Sequence, residues 1–195
     1  MTDDGARPGG TDPDDLDRYL DAVLVGGREE RVIEIVDYTP TWATRFEAER
    51  QTIDRALGPR ARRIEHIGST AVPGLAAKPV VDILVTVDDP DDEAGFRDEL
   101  ESAGYVLRVR EPGHRMFRTP QRDVHVHIWA SGGPDERRHL VFRDRLRSSA
   151  ADREEYERTK RSLAGRYTDM NHYAQAKTVV VDRIMTRAAE DETPV

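Results

Sequence analysis

Apolar residues recur along the chain with two different periods, and the switches between them lay out the elements. Leu16, Tyr19, Leu20, Val23 and Leu24 fall at helical spacing within 14–25. This predicts a short helix docked on the body and ended by Gly26-Gly27. Residues 31–36 (RVIEIV) alternate with period two and predict a strand. Thr41 is placed to cap a helix over 41–58, in which Trp42, Phe46, Ile53 and Leu57 share one face and Gly58-Pro59 forms the stop. A short strand over 62–67 and a loop of small residues over 68–79 lead into 80–87 (VVDILVTV). That segment is apolar almost throughout, as for a strand covered on both faces. A helix over 91–103 comes next, then strands over 104–110, 114–119 and 123–129, with turns at Pro112-Gly113 and Pro120. From 135 to 189 the period is helical in three successive blocks. Strands flanked by helices predict an α+β fold, a sheet covered by helices with a helical C-terminal part.

Length and composition divide the chain further. At 195 residues it has room for one domain with appendages. The expected divisions are an acidic disordered tail over 1–13, a helical extension over 14–30, the domain over 31–189 and a second tail over 190–195. The net charge of −8 belongs to the ends: residues 1–30 hold nine acids and three arginines, and 190–192 hold three more acids. The remainder carries 26 acids against 27 bases, so a local basic pocket is compatible with the acidic total. The absence of cysteine excludes disulfides, thiolate zinc sites, iron–sulfur clusters and a cysteine nucleophile. No apolar run approaches 18 residues and no secretory signal opens the chain, so a cytoplasmic protein without membrane partners is expected. Only Lys78, Lys160 and Lys177 among the 30 bases are lysines. This bias reads as genome composition and is assigned no role at this stage.

The densest chemistry lies in 65–85 (EHIGSTAVPGLAAKPVVDILV). Gly68 and Ser69 open a loop whose amides and hydroxyls, those of Ser69 and Thr70 included, suit a phosphate. Twelve residues separate Ser69 from Asp82, a carboxylate inside an apolar strand. Such a group is costly unless hydrogen-bonded, paired or holding a cation, so Asp82 belongs either to a metal or phosphate site or to a cap on a neighbouring loop. On a later strand Asp123, His125 and His127 alternate onto one side. If that side meets Asp82, two imidazoles join a carboxylate, a set suited to zinc, manganese or iron; otherwise the histidines are half-buried residues bonded to backbone carbonyls. Glu65, before the Gly-Ser loop, is a further candidate oxygen ligand. His66 points opposite to Glu65 and fits a contact to the loop as well as it fits catalysis, whereas His114 and His172 read as surface or capping residues.

Gly-Ser followed at this distance by an aspartate on an apolar strand resembles the nucleotidyltransferase superfamily, and the fuller string resembles its GrpB-like branch. VDYTPTW at 36–42, the string at 64–85, HVHIW at 125–129, HLVFRDRLR at 139–147 and Tyr156, Lys160, Tyr173 and Lys177 carry the resemblance, over roughly 30–188. It implies a mixed nucleotidyltransferase-like sheet and transfer of a nucleoside monophosphate from ATP or another nucleoside triphosphate to a small molecule. A divalent metal (magnesium, manganese or zinc) would be held by Asp82, His125, His127 and Glu65, and phosphate by Gly68, Ser69, Thr70, Lys78, Arg115 and Arg143. One departure matters. The superfamily's Asp-x-Asp pair holds two magnesium ions, but Leu84 stands at the second acid.

That departure keeps two rivals open: an ATP-dependent ligase or metal-assisted hydrolase using the Asp/His set, and a catalytically silent domain that binds a nucleotide or a protein. GxxxxGK[ST], GxGxxG after a strand, GxSxG and HExxH are all absent, which removes P-loop, dinucleotide-binding, serine-hydrolase and metalloprotease readings. No basic stripe with interleaved aromatics is present, so nucleic acid is disfavoured as a partner.

Overall fold

The computed structural model describes residues 13–29 and 32–191. Of the two expected tails, 1–12 and 192–195 lie outside the described residues, while Glu190 and Asp191 complete the last helix. Helix α1 (Pro13–Val23) is the helical extension. Helix α2 (Thr41–Leu57) precedes strands β1 (Arg63–Ile67) and β2 (Val81–Val87). Helix α3 (Arg97–Ser102) leads to β3 (Val106–Glu111), β4 (His114–Arg118) and β5 (Val124–Ala130). Helices α4 (Pro134–Ser148), α5 (Ala150–Ala164), α6 (Met170–Ala176) and α7 (Thr178–Asp191) complete an α+β fold.

The sheet runs β1-β2-β5-β4-β3, antiparallel except for the central β2–β5 pair. Its two faces differ in chemistry because side chains alternate along each strand. Val81, Ile83, Val85 and Val87 of β2 join Val124, Val126 and Ile128 of β5 on one face, packed with Trp42, Ile53 and Leu57 of α2 and Leu100 of α3. Full burial of each such side chain is worth about 1.5–3 kcal/mol, so this face is the main stabilising core. The opposite face carries Asp82, His125, His127, Trp129 and His114. A second core forms where Val72 and Leu75 of the 68–80 loop meet Leu146, Tyr156, Val180 and Ile184. The C-terminal helices are thereby clamped onto that loop.

Three local expectations are corrected. Of the strand expected over 31–36, residues 32–36 are described and form no strand: Val36 alone pairs, with Ala77 of the loop, so the alternation reflects burial against a loop rather than a ladder. Thr41 is the first helical residue rather than the cap, and the Thr39 hydroxyl accepts its N–H at 3.3 Å. The helix expected over 91–103 breaks into a single 3-10 turn, Glu93–Gly95, and the short α3, separated by Phe96 in a non-helical conformation.

Candidate functional site

Strand register assembles the site. The β2–β5 ladder sets Asp82 beside His125 and Leu84 beside His127, and directly paired residues share a face. The Asp82 carboxylate lies 3.3 Å from His125 Nδ1 and 3.8 Å from His127 Nε2. Donor atoms of the three residues fall within 4.8 Å of one another, all half-buried. Burial works against ionising Asp82, yet the neighbouring His125 and His127 imidazoles outweigh it and hold the carboxyl well below the usual carboxylate range. Its partners are imidazoles rather than the loop amides of the capping alternative.

The Gly-Ser loop is brought against the same carboxylate by β1–β2 pairing, in which Ile67 faces Asp82. Gly68 follows with φ 73° and ψ −164°, a region that is essentially glycine-only. A Cβ there would stand 2.6 Å from Asp82 Oδ2. Two requirements therefore select glycine at this position, backbone conformation and close approach.

The other expected site residues are placed differently. Ser69 is half-buried beside the Tyr156 hydroxyl, and burial pushes Tyr156 up to about 12. The Thr70 hydroxyl is buried and donates to the Val80 carbonyl at 3.1 Å, and His66 Nε2 donates to Thr70 at 3.0 Å. Both groups are thus spent inside the loop, and burial takes His66 down to about 4. Glu65 shares the Asp82 face but is bonded to Arg143 at 2.8 Å, outside the metal-competent set. Arg143 also bonds Asp144 and the His66 carbonyl. Arg115 points to the opposite face, where Glu93 and Asp91 hold it at 2.6 and 2.9 Å. Asp123 accepts from Thr119 at the turn before β5, away from the histidines. His172 is half-buried at the start of α6, 3.0 Å from Asp17.

His114 corrects the surface reading directly. Only 2% exposed, it stacks on Trp129 with ring centroids 3.9 Å apart. Its Nδ1 bonds Glu111 and its Nε2 lies 3.1 Å from His127 Nδ1. A carboxylate accepting from His114 Nδ1 leaves Nε2 to accept from His127 Nδ1, so that His127 Nε2 would offer its lone pair to a cation held between it and Asp82. Partners of this kind typically contribute 10–100-fold to metal affinity. The double variant Glu111→Gln/His114→Phe, which leaves no buried carboxylate stranded, is expected to weaken manganese or zinc binding by roughly that factor at an unchanged melting temperature. Calorimetric titration showing parental affinity would refute the arrangement. A lone histidine at a strand start gave no sign of this, because its neighbours are set by the β4–β5 register.

The lysines give the largest reversal. All three converge beside the site: Lys78 from the loop before β2, Lys160 from α5 and Lys177 from the end of α6, the last two each four residues after a tyrosine. Lys78 and Lys177 lie 5.2 and 4.6 Å from the Tyr173 ring centre, and Lys160 lies 4.9 Å from that of Tyr156. Lys78 and Lys177 line the same cavity as Asp82, His125, His127 and Gly68. A compact ammonium fits this crowded, desolvated corner where a planar guanidinium with five donors does not.

Burial, and after it the charge of Lys177, push Lys160 down to about 7; burial takes Lys177 down to about 8 against the pull of Asp82. Between these values and the ordinary 10.5 the unfolded chain holds the extra protons, so both lysines make stability rise with pH over that window. Urea midpoints are expected to increase from about pH 7.5 to about 9.5, less steeply in Lys160→Met. A parental slope retained in that variant would remove Lys160 from the account.

Comparison with known proteins bears on the whole arrangement. The family model described as GrpB protein matches residues 32–187. A UPF0157 protein of Streptomyces coelicolor is 49% identical over 166 residues, 85% of this chain and 89% of its own. The crystal structure of GrpB from Enterococcus faecalis superposes with a TM-score of 0.71 at 33% identity, covering 81% of this chain and 98% of that one. Likeness to the Cid1 poly(U) polymerase stops at a TM-score of 0.43 and 13% identity, over 65% of this chain and 45% of that one, too distant to transfer chemistry.

Proposed function

The chain belongs to the GrpB family, and from that premise we propose that it transfers a nucleoside monophosphate from a nucleoside triphosphate to a small-molecule acceptor, with one divalent cation. The observation that carries the reading is the contact of Gly68 with Asp82, which sets a phosphate-compatible loop against a carboxylate flanked by two imidazoles. Asp82, His125 and His127 would hold the cation, and nitrogen ligands suit manganese or zinc better than magnesium. Bound there, a divalent ion would supply Lewis-acid polarisation of a phosphoryl oxygen. Buried Leu84 fills the place of a second carboxylate, so the residues fit one ion rather than a pair.

The remaining work falls to the chain's own groups. Loop amides at Gly68 and Ser69 orient phosphate oxygens, and Lys78 and Lys177 neutralise their charge across the cavity. Arg115 and Arg143 are left to hold the fold, since both are already engaged by carboxylates.

The test is incubation with nucleoside triphosphates labelled at the α-phosphate, a panel of small hydroxyl, amine and phosphate acceptors, and manganese, zinc or magnesium. Label on the acceptor with pyrophosphate released supports transfer. The altered ligand set, with imidazoles in place of a second acid, favours one rival, metal-assisted hydrolysis or ATP-dependent ligation, which would consume nucleotide while leaving the acceptor unlabelled. No turnover with any metal would leave only the silent binding domain.

A further inference from the structure

The cavity in front of Asp82 has a second wall of opposite character. It measures about 390 Å³, within the usual 300–1,000 Å³ of small-molecule sites. One side is charged, with Lys78 and Lys177 beside the Asp82 group. The other is built by α1, which presents Leu16, Tyr19, Leu20 and Val23. This helix is fastened in place: Leu24 bridges to Val109, the Val25 amide donates to the Arg108 carbonyl at 2.9 Å, and Asp17 pairs with Arg28 at 2.6 Å. It also lies ahead of the segment matched by the family model, which begins at residue 32. Much of the apolar lining is therefore supplied from outside the segment that supplies the metal-competent residues, with Ile67, Val109 and Met116 completing it.

Tyr19 adds an independent sign. Its hydroxyl is buried and has no hydrogen-bond partner among the described residues, although its residue lines the cavity. A buried hydroxyl left unpaired costs about 1–3 kcal/mol, so turning the Tyr19 ring to meet a polar atom of a ligand in the cavity would recover that loss.

We propose that this cavity binds a ligand made of an anionic group on an apolar body, with the anion at Lys78 and Lys177 and the body against α1, which sets specificity. The inference rests on the nucleotide-dependent reading for its phosphate end, and the body is either the base of the nucleotide or the apolar part of the acceptor. Charge complementarity fixes the orientation: reversed, the apolar body would lie against two ammonium groups and leave their charge uncompensated.

Calorimetric titration of the full chain with inorganic phosphate, hexyl phosphate, tripolyphosphate and ATP tests this. Hexyl phosphate is expected to bind at least roughly tenfold more tightly than inorganic phosphate. Leu16→Gln, and the shape-conserving Val23→Thr as a second variant, should remove most of that gain while leaving inorganic phosphate binding unchanged, which also shows that the variants fold. Lys177→Gln should weaken both ligands. If ATP exceeds tripolyphosphate and the excess disappears in Leu16→Gln, the body is the nucleobase. If ATP shows no excess over tripolyphosphate while the hexyl phosphate gain stands, the body belongs to the acceptor. Hexyl phosphate binding no more tightly than phosphate, or a gain that survives both α1 variants, overturns the proposal. Transfer activity is read separately by pyrophosphate release, so loss of that activity reading leaves these binding results standing.

Discussion

Asp82→Asn protein, purified without a histidine tag, is expected to hold almost no transition metal where the parent holds close to one equivalent, and to lose turnover with it. The substitution keeps the shape of the side chain and removes its charge. The Asp82 carboxylate is the common neighbour of both imidazoles, at 3.3 Å from His125 and 3.8 Å from His127. Without it the cation would face two neutral nitrogens with the Lys78 and Lys177 ammonium groups across the same cavity. The loss of affinity should exceed the 10–100-fold typical of outer partners. Elemental analysis and a zinc or manganese titration give the answer, with His66→Gln as control because His66 bonds Thr70 and lies on the opposite face. Retention of a full equivalent by Asp82→Asn would end the metal-site reading.

Gly68→Ala should be the most damaging single methyl group in the chain. The new Cβ would stand 2.6 Å from Asp82 Oδ2 and 3.2 Å from its Cβ, and the backbone conformation itself excludes a side chain. Residues held in such a region cost about 1–3 kcal/mol before any clash is counted. A total near 3 kcal/mol corresponds to a fall of roughly 6–12 °C in melting temperature for a chain of this size. Metal binding should fall in parallel, because relief of the clash moves Asp82. Gly74→Ala separates the two contributions: Gly74 also has positive φ, but among the described residues no atom lies within 4 Å of its added Cβ. It should lose stability and keep its metal. Equal behaviour of the two variants would show that Asp82 packing is not what Gly68 protects.

Periodicity located most elements because each records which face of its own segment is buried. It misread 31–36, where alternation arose from packing on a loop, and Thr41, where the hydroxyl that matters is on Thr39. Within the site, Gly68 and Asp82 were legible because a glycine after one strand and a lone carboxylate in an apolar strand are each costly without a reason. Two histidines at a spacing of two were legible as a same-side pair. Thr70, Arg115 and Arg143 looked suited to phosphate by residue type alone, yet their hydrogen bonds go to Val80, to Glu93 and Asp91, and to Glu65 and Asp144. Residue type says what a group can bond, and only the fold says what it already bonds.

By itself the sequence determined the α+β class, the Gly68–Asp82 segment, the histidine pair and family membership, since all of these are written in local spacing and contiguous strings. Tertiary structure alone decided that β2 and β5 pair in parallel with Asp82 beside His125, that His114 supports His127, and that Lys78, Lys160 and Lys177 share one corner. The residues brought together in this way stand from 13 to 99 positions apart along the chain. Local propensity cannot encode them; they follow from register, and from the second core that clamps the C-terminal helices onto the loop.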